Sequence, residues 1–431
     1  MKSQSLLSLS AWLLAALAVP LHAAAQDAQQ SPLPITHYTV TDLGTLSGGN
    51  FSQPFFMNKY GLVSGSSTVA GGAQHATLWL QGLKGDIGTP GLGGPDSIAF
   101  GDNERFQSAG EAETATPDPR GEDFCGFATH LTCLPFLWQD GEMIPLRTLG
   151  GNNGAANAIS NRGEVAGFAE NTTPDPGCPA PQILHFKPVV WEKGVIRKMP
   201  TVGRDPDGVA YGINDNGEIA GASGTCTTFN PNFLNNLLAV HALLWKNSKV
   251  TDLGNLGGPT GQAGGNAAYS VNNRGEVVGS SDLPGDTTFH AFLWTRKTGM
   301  RDLGTLSGDL ASNAISINDS GSVVGVSLDA NFNPRAYVWR NGMMTDLNSL
   351  IAGDSPLYLL TGCSINNRGE ITGLGLTSTG EIHTYLATPK RDGEDISPSA
   401  NSRRILSDEA REQLQQQLRL SRPGARFMGA H

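Results

Sequence analysis

The chain has 431 residues, with 29 Lys and Arg against 39 Asp and Glu, for a formal net charge of −10. That balance, with no basic cluster before the C-terminal tail, argues against nucleic acid or an anionic membrane surface as partner. Fifty-five Gly, 25 Pro and only 16% charged residues suit many short strands joined by tight turns.

Residues 1–25 read as a secretory leader: Lys2, a Leu- and Ala-rich run through Val19, then Ala23-Ala24-Ala25 at a small-residue cleavage site. The apolar run falls short of the ~20 residues that span a bilayer. No Cys directly follows it, so no lipid anchor is expected either. The expectation is a protein secreted or periplasmic after cleavage, without a membrane span.

From there the text repeats. The unit is clearest from Tyr269 to Leu306: an apolar strand, the turn Asn272-Asn273-Arg274-Gly275, the strand Val277-Val278, a third strand His290-Ala291-Phe292-Leu293-Trp294, and a fourth at Asp302-Leu303. Asn and Gly tolerate the left-handed angles of a tight turn, and β-branched residues favour the strands beside it. The turn recurs at Asn58, Ser160, Asn214, Asn318 and Asn366, each followed after three residues by Gly and after seven by a second Gly: Gly65, Gly167, Gly221, Gly325 and Gly373. One degenerate copy at Asn103 keeps Gly110 but has Phe106 at the turn glycine. Trp closes the third strand at 79, 138, 191, 245, 294 and 339. The fourth strand recurs at Asp252 and Asp346, and more loosely near Ile87, Leu149 and Val202.

That makes seven copies. The seventh stops at Pro389 without a fourth strand, and the missing text stands at the other end of the chain, Tyr38 to Leu46. A unit this small buries its apolar faces only against its neighbours. The expected fold is therefore all-β: a seven-bladed β-propeller of four-stranded blades over residues 26–389, its ring closed by the N-terminal strand. Residues 390–431 read as a linker and a short C-terminal helix beginning at Ser407.

The recurring His-Ala-(Phe/Leu)-Leu-Trp of 241–245 and 290–294, the Asn-Asn-Arg-Gly-Glu turns and the Asp-Leu-Gly-Thr-Leu strands resemble the HAF-repeat family of bacterial extracellular proteins over residues 37–389. The resemblance implies an exported, propeller-like protein akin in architecture to kelch-type repeats. It brings no reaction or ligand, so no catalytic residue is carried over.

Residues repeated once per blade read as structural: His75, His241, His290 and His383 satisfying turns, Asp42, Asp252, Asp302 and Asp346 capping amides, and the Trp residues packing between blades. Function is sought where the repeats differ. Blades 2, 3 and 4 carry long second-to-third-strand loops at 114–134, 171–185 and 224–239, on one face. Asp118, Arg120, Glu122, Asp123, His130, Asp175 and His185 fall there, with Arg204, Asp205 and Asp207 in the adjoining blade-to-blade loop. These ten are the candidate ligand-binding residues. Four loop cysteines in an exported chain predict the bridges Cys125–Cys133 and Cys178–Cys226, with Cys363 a free thiol inside a strand.

The function expected is a binding or scaffolding module for an extracellular glycan or protein, monomeric, acting through the loop face of blades 2–4. The alternative is a polysaccharide-active lyase or hydrolase pairing Asp123 or Asp175 with His130 or His185 on that face. No G-x-S-x-G, H-E-x-x-H or phosphate loop occurs, and no cofactor or metal is expected; Asp205-Pro206-Asp207-Gly208 alone offers too few calcium ligands.

Overall fold

A computed structural model describes residues 36–178, 180, 182–226 and 237–390. Seven antiparallel sheets follow one another along the chain at 52–86, 93–145, 150–198, 207–252, 267–302, 311–346 and 358–389. In the first six, four strands run from the ring axis outward in chain order. In the seventh the outermost strand is Tyr38–Asp42, paired antiparallel with Ile382–Pro389. The fold is the expected seven-bladed propeller. The leader and the tail helix lie outside the described residues.

The fourth strands of blades 2 and 3 are Glu142–Pro145 and Val195–Lys198, several residues before the loosely matching text at Leu149 and Val202. Those later apolar residues belong to the links between blades, where Leu149 bridges to Asn171.

Each blade is thin, and the core lies between blades. Trp79, Trp191 and Trp245 are fully buried, and Trp294 and Trp339 nearly so. Trp191 and Trp245 also donate Nε1–H to the carbonyls of Arg147 and Pro200, 2.8 and 2.7 Å away in the link from the preceding blade. Burying an indole while satisfying its one donor is how such a residue joins neighbouring units.

Ring closure is dense. Arg340 of blade 6 donates to the Tyr38 hydroxyl at 2.6 Å. The amides of Met57 and Thr384 are bound by the hydroxyls of Ser364 and Ser52 at 3.1 and 2.9 Å, one in each direction across the blade 7–blade 1 seam. Closure joins the first and last blades and leaves only the short outer strand of each blade as an edge.

Candidate functional site

The innermost strand of each of the first six blades carries a β-bulge at the same place. The register with the second strand shifts between Pro54 and Phe56, Ala99 and Gly101, Ala156 and Ala158, Ala210 and Gly212, Ala268 and Ser270, and Ala314 and Ser316. A bulge adds one unpaired residue and re-aims its side chain. The added residues are Phe55, Phe100, Asn157, Tyr211, Tyr269 and Ile315. In blade 7 the inner strand breaks between Tyr358–Leu359 and Ser364–Ile365, and Cys363 takes the corresponding place. All seven line a cavity of about 260 Å³ on the ring axis.

The second repeat glycine follows from this geometry. A Cβ at Gly65, Gly110, Gly167, Gly221, Gly279 or Gly325 would collide with a carbonyl oxygen of the facing inner strand at the bulge, and one at Gly373 with the Thr361 carbonyl at the break in blade 7. Blade 2 keeps Gly110 although it lost its turn glycine, because it keeps the bulge.

The lining is varied. Phe55 and Phe100 pack edge to face with ring centroids 4.8 Å apart, and Tyr211 and Tyr269 tilt against each other at 5.3 Å. Between these pairs Asn157 donates to the carbonyl of Ala210 at 2.8 Å, while its Oδ1 is buried without a hydrogen bond from the described residues. The aromatic pairs supply apolar ring surface, and Asn157 places one carboxamide among them. Such a mixture fits an uncharged organic ligand.

At the face carrying the first-to-second-strand turns, the cavity mouth is ringed by the first residue of each turn, its anchor: Asn58, Asn103, Ser160, Asn214, Asn272, Asn318 and Asn366. Each anchor Asn closes its own turn: Oδ1 of Asn58 accepts from the amides of Tyr60 and Leu62 at 2.9 and 3.1 Å. Its Nδ2 reaches the next blade, from Asn58 to the carbonyl of Asn103 at 3.0 Å and from Asn103 to that of Ser160 at 3.1 Å. The same bond runs from Asn214 to Asn272, from Asn272 to Asn318, and from Asn318 to Asn366, at 2.8, 3.0 and 3.0 Å. At blade 3 the anchor is Ser160, which has no amide to give, and Asn157 makes the link to blade 4 instead. Outside this ring, Asn161, Asp215, Asn273, Asp319 and Asn367 alternate acceptor and donor around the mouth, each carboxylate between two carboxamides.

On the opposite face the long loops form a wall, and most of the candidate ligand-binding residues hold it together. Asp118 accepts from the amides of Arg120 and Glu122 at 2.7 and 3.1 Å. Glu122, fully buried, accepts from the amides of Ile183 and Leu184 in blade 3 at 2.5 and 2.9 Å. Asn153 Nδ2 stands among Asp118, Glu122 and Glu170 at 3.0, 3.4 and 3.0 Å. Burial pushes the Glu170 carboxyl up to about 8, with the charge of Glu122 adding to it, and burial also raises Glu122. Nearby, burial lifts Glu113 to about 7. Asp123 is turned to the amide of Ala128 at 3.0 Å.

Asp175 and Asp207 both face His185 Nδ1, at 3.2 and 3.0 Å. Each of these three offers one ligand atom within 4.8 Å of the others. The ammonium of Lys187 lies 3.9 Å from Asp207, and burial raises Asp207 to about 6. The cluster therefore already holds a cation and reads as a fastening between blades 3 and 4. Asp205 accepts from Ser223 and His241 at 2.5 and 2.7 Å. Arg120, His130 and Arg204 are exposed, so the wall brings these three to solvent and spends the acidic residues internally.

The other repeated polar residues are structural. His75, His290 and His383 pair with Asp86, Asp302 and Asp42 at 2.8–2.9 Å, and each of these aspartates also accepts from the glycine amide two residues on. Both expected disulfides are present, Cys125–Cys133 and Cys178–Cys226. Cys363 is free, at a break in the inner strand, and burial raises its thiol to about 11.

No family model matches the chain, and no curated protein matches it. Solved structures of similar shape include the β-propeller domain of the trilobed protease from Pyrococcus furiosus, at 8% identity over 83% of this chain and 94% of that one, with a TM-score of 0.44. Streptogramin B lyase aligns at 10% identity over 82% and 98% of the two chains, with a TM-score of 0.42. The fucose-recognising Aleuria aurantia lectin, a six-bladed propeller, aligns at 9% identity over 85% and 96%, with a TM-score of 0.34. The propeller stands on the strand pairings of this chain. Among the described residues no helix is long and apolar enough to cross a membrane.

Proposed function

We propose that this protein is an exported binding module of the HAF-repeat type whose ligand enters the central channel. The observation that carries this reading is the aligned bulge. Six blades turn one extra side chain toward the axis, and that position varies (Phe, Phe, Asn, Tyr, Tyr, Ile) while its surroundings repeat. Packing alone would favour the same residue in every blade; a site that recognises an asymmetric ligand needs different ones. The two disulfides fit an oxidising compartment.

A second reading keeps the loop face of blades 2–4 as the contact for an extracellular glycan or protein. Its support is that three adjacent blades raise a wall fastened by both disulfides, which carries Arg120, His130 and Arg204 outward. A lyase or hydrolase has its nearest support in Asp175, His185 and Asp207, but Lys187 and backbone amides engage that group.

The test compares three proteins on a glycan array and in pull-downs from the producing culture's own medium. They are the wild type, a double variant Tyr211→Ala/Tyr269→Ala, and a triple variant Arg120→Ala/His130→Ala/Arg204→Ala. The channel reading expects the triple variant to bind as the wild type does and the double variant to lose the ligand. The reverse pattern would move the site to the wall.

A further inference from the structure

At four blade seams on the turn face, an arginine covers the next blade's turn glycine. Arg105, Arg162, Arg274 and Arg368 lie over Gly163, Gly217, Gly321 and Gly61, so close that a Cβ on any of these glycines would come within 3.0 Å of the guanidinium. Three of these arginines are held by a glutamate of their own turn, as Arg162 is by Glu164 at 2.6 Å. The seam between blades 1 and 2 is different. Tyr60 stands where the arginine would be and Phe106 where the glycine would be, and the two rings stack with centroids 5.9 Å apart and planes 6° from parallel.

Phe106 holds this place at φ +58°, a left-handed conformation unfavourable for a bulky side chain. Both rings remain open to solvent, Tyr60 at 45% and Phe106 at 46% of full exposure. A pair serving only the seam would be covered, and the glycine it displaced would carry no strain.

Three neighbours extend the platform inward. Phe56, 40% exposed, lines the channel below it. Lys59 and Glu104 pair across the same seam and border the cavity, with the Lys59 ammonium 5.0 Å from the Tyr60 ring. Asp102, which also borders the cavity, is buried against Ser64 and Asn58 where the other blades have Met57, Ile159, Ile213, Val271, Ile317 and Ile365. The three departures, at 60, 102 and 106, meet at one seam beside the channel mouth.

We propose that Tyr60 and Phe106 form the outer subsite for a neutral oligosaccharide, one pyranose lying on the face of the Phe106 ring turned away from Tyr60 while the chain continues into the channel; this rests on the channel reading above. The flat C–H face of a pyranose matches an aromatic ring, and its hydroxyls match the alternating carboxamides and carboxylates of the mouth. Carboxylates around the rim and a net charge of −10 oppose a polyanion. An apolar peptide would leave that polar rim unpaired.

The test restores the repeat's own residues. Wild type, Phe106→Gly and Tyr60→Arg are titrated calorimetrically with neutral tetra- to hexasaccharides of β-1,4-glucose, β-1,4-N-acetylglucosamine and α-mannose, and with heparin-derived oligosaccharides as the anionic control. The expected result is that at least one neutral oligosaccharide binds the wild type and that Phe106→Gly weakens it tenfold or more while the thermal midpoint holds or rises. Binding of heparin fragments only, or of none of these oligosaccharides, would overturn the neutral-glycan assignment. Oligosaccharide affinity unchanged in both variants would overturn the subsite. Either failure leaves the channel reading standing if Tyr211→Ala/Tyr269→Ala still abolishes binding.

Discussion

Asn366 donates through Nδ2 to the backbone carbonyl of Asn58 at 3.2 Å, joining residues 308 apart in sequence. This bond is the seam-crossing member of the anchor ring, the same contact that runs between neighbouring blades elsewhere. Closure therefore reuses the repeat's own chemistry, with the strand Tyr38–Asp42 added on the outside. Replacing Asn366 by Ala removes this bond and the turn bonds to Arg368 and Glu370. It should cost roughly 1–3 kcal/mol, read as a lower denaturant midpoint. Deleting residues 35–46 should destabilise the whole ring, because an open edge uncouples the first and last blades. A midpoint unchanged by that deletion would contradict closure.

The gap in the anchor ring gives a prediction of opposite sign. Ser160→Asn supplies the missing amide opposite the carbonyl of Asn214 and can cap the same turn. It should raise stability by about 0.5–1.5 kcal/mol, measured by chemical denaturation. A loss of stability would mean that Asn157 already fills that link sterically.

The disulfides should differ in weight. Cys125–Cys133 spans 8 residues and Cys178–Cys226 spans 48. By chain entropy the first contributes about 2.5 kcal/mol and the second about 4 kcal/mol. Cys178→Ser should therefore lower the denaturation midpoint more than Cys125→Ser does. The reverse order would show that local packing around Phe124 outweighs loop closure.

Stability should fall as the medium turns alkaline. The folded Glu170 carboxyl titrates at about 8, above its ordinary 4.5, because burial and the charge of Glu122 disfavour ionisation. The folded state thus holds a proton that the unfolded chain releases. Its contribution is complete below about pH 4.5 and is lost as pH rises through about 8, at no more than about 1.4 kcal/mol per pH unit. Glu113, raised to about 7, acts in the same direction. Thermal midpoints measured from pH 5 to pH 9 should decline for the wild type and decline less for Glu170→Gln. A wild-type midpoint rising over that window would contradict the assignment.

Most of the architecture was legible because the repeat is chemical as well as textual. The turn and its Gly recur with one geometry in six blades, the His–Asp pair recurs in blades 1, 5 and 7, and the split blade follows from counting the copies. The candidate site was less legible. Charged residues in long loops look like ligands, yet Asp118, Glu122 and Asp207 are buried in bonds to backbone and Asn153, which only the fold brings near. The channel residues are not legible in one copy, because the bulge that re-aims them leaves no mark there. Their signal was present all the same: the residue three before each anchor changes from Phe55 to Cys363 while its neighbours repeat. Phe106 was visible as a lost glycine, but its partner Tyr60 becomes meaningful only across a seam.

The channel is tested most directly by filling it. Ile315→Trp enlarges one bulge side chain on the axis without touching the wall or the Tyr60–Phe106 platform. Calorimetric titration of this variant with the tightest array ligand of the wild type, alongside circular dichroism to verify the fold, gives the comparison. The expected result is one site per chain in the wild type and an affinity at least tenfold weaker in Ile315→Trp. A folded Ile315→Trp protein that binds as tightly as the wild type would place the ligand outside the channel.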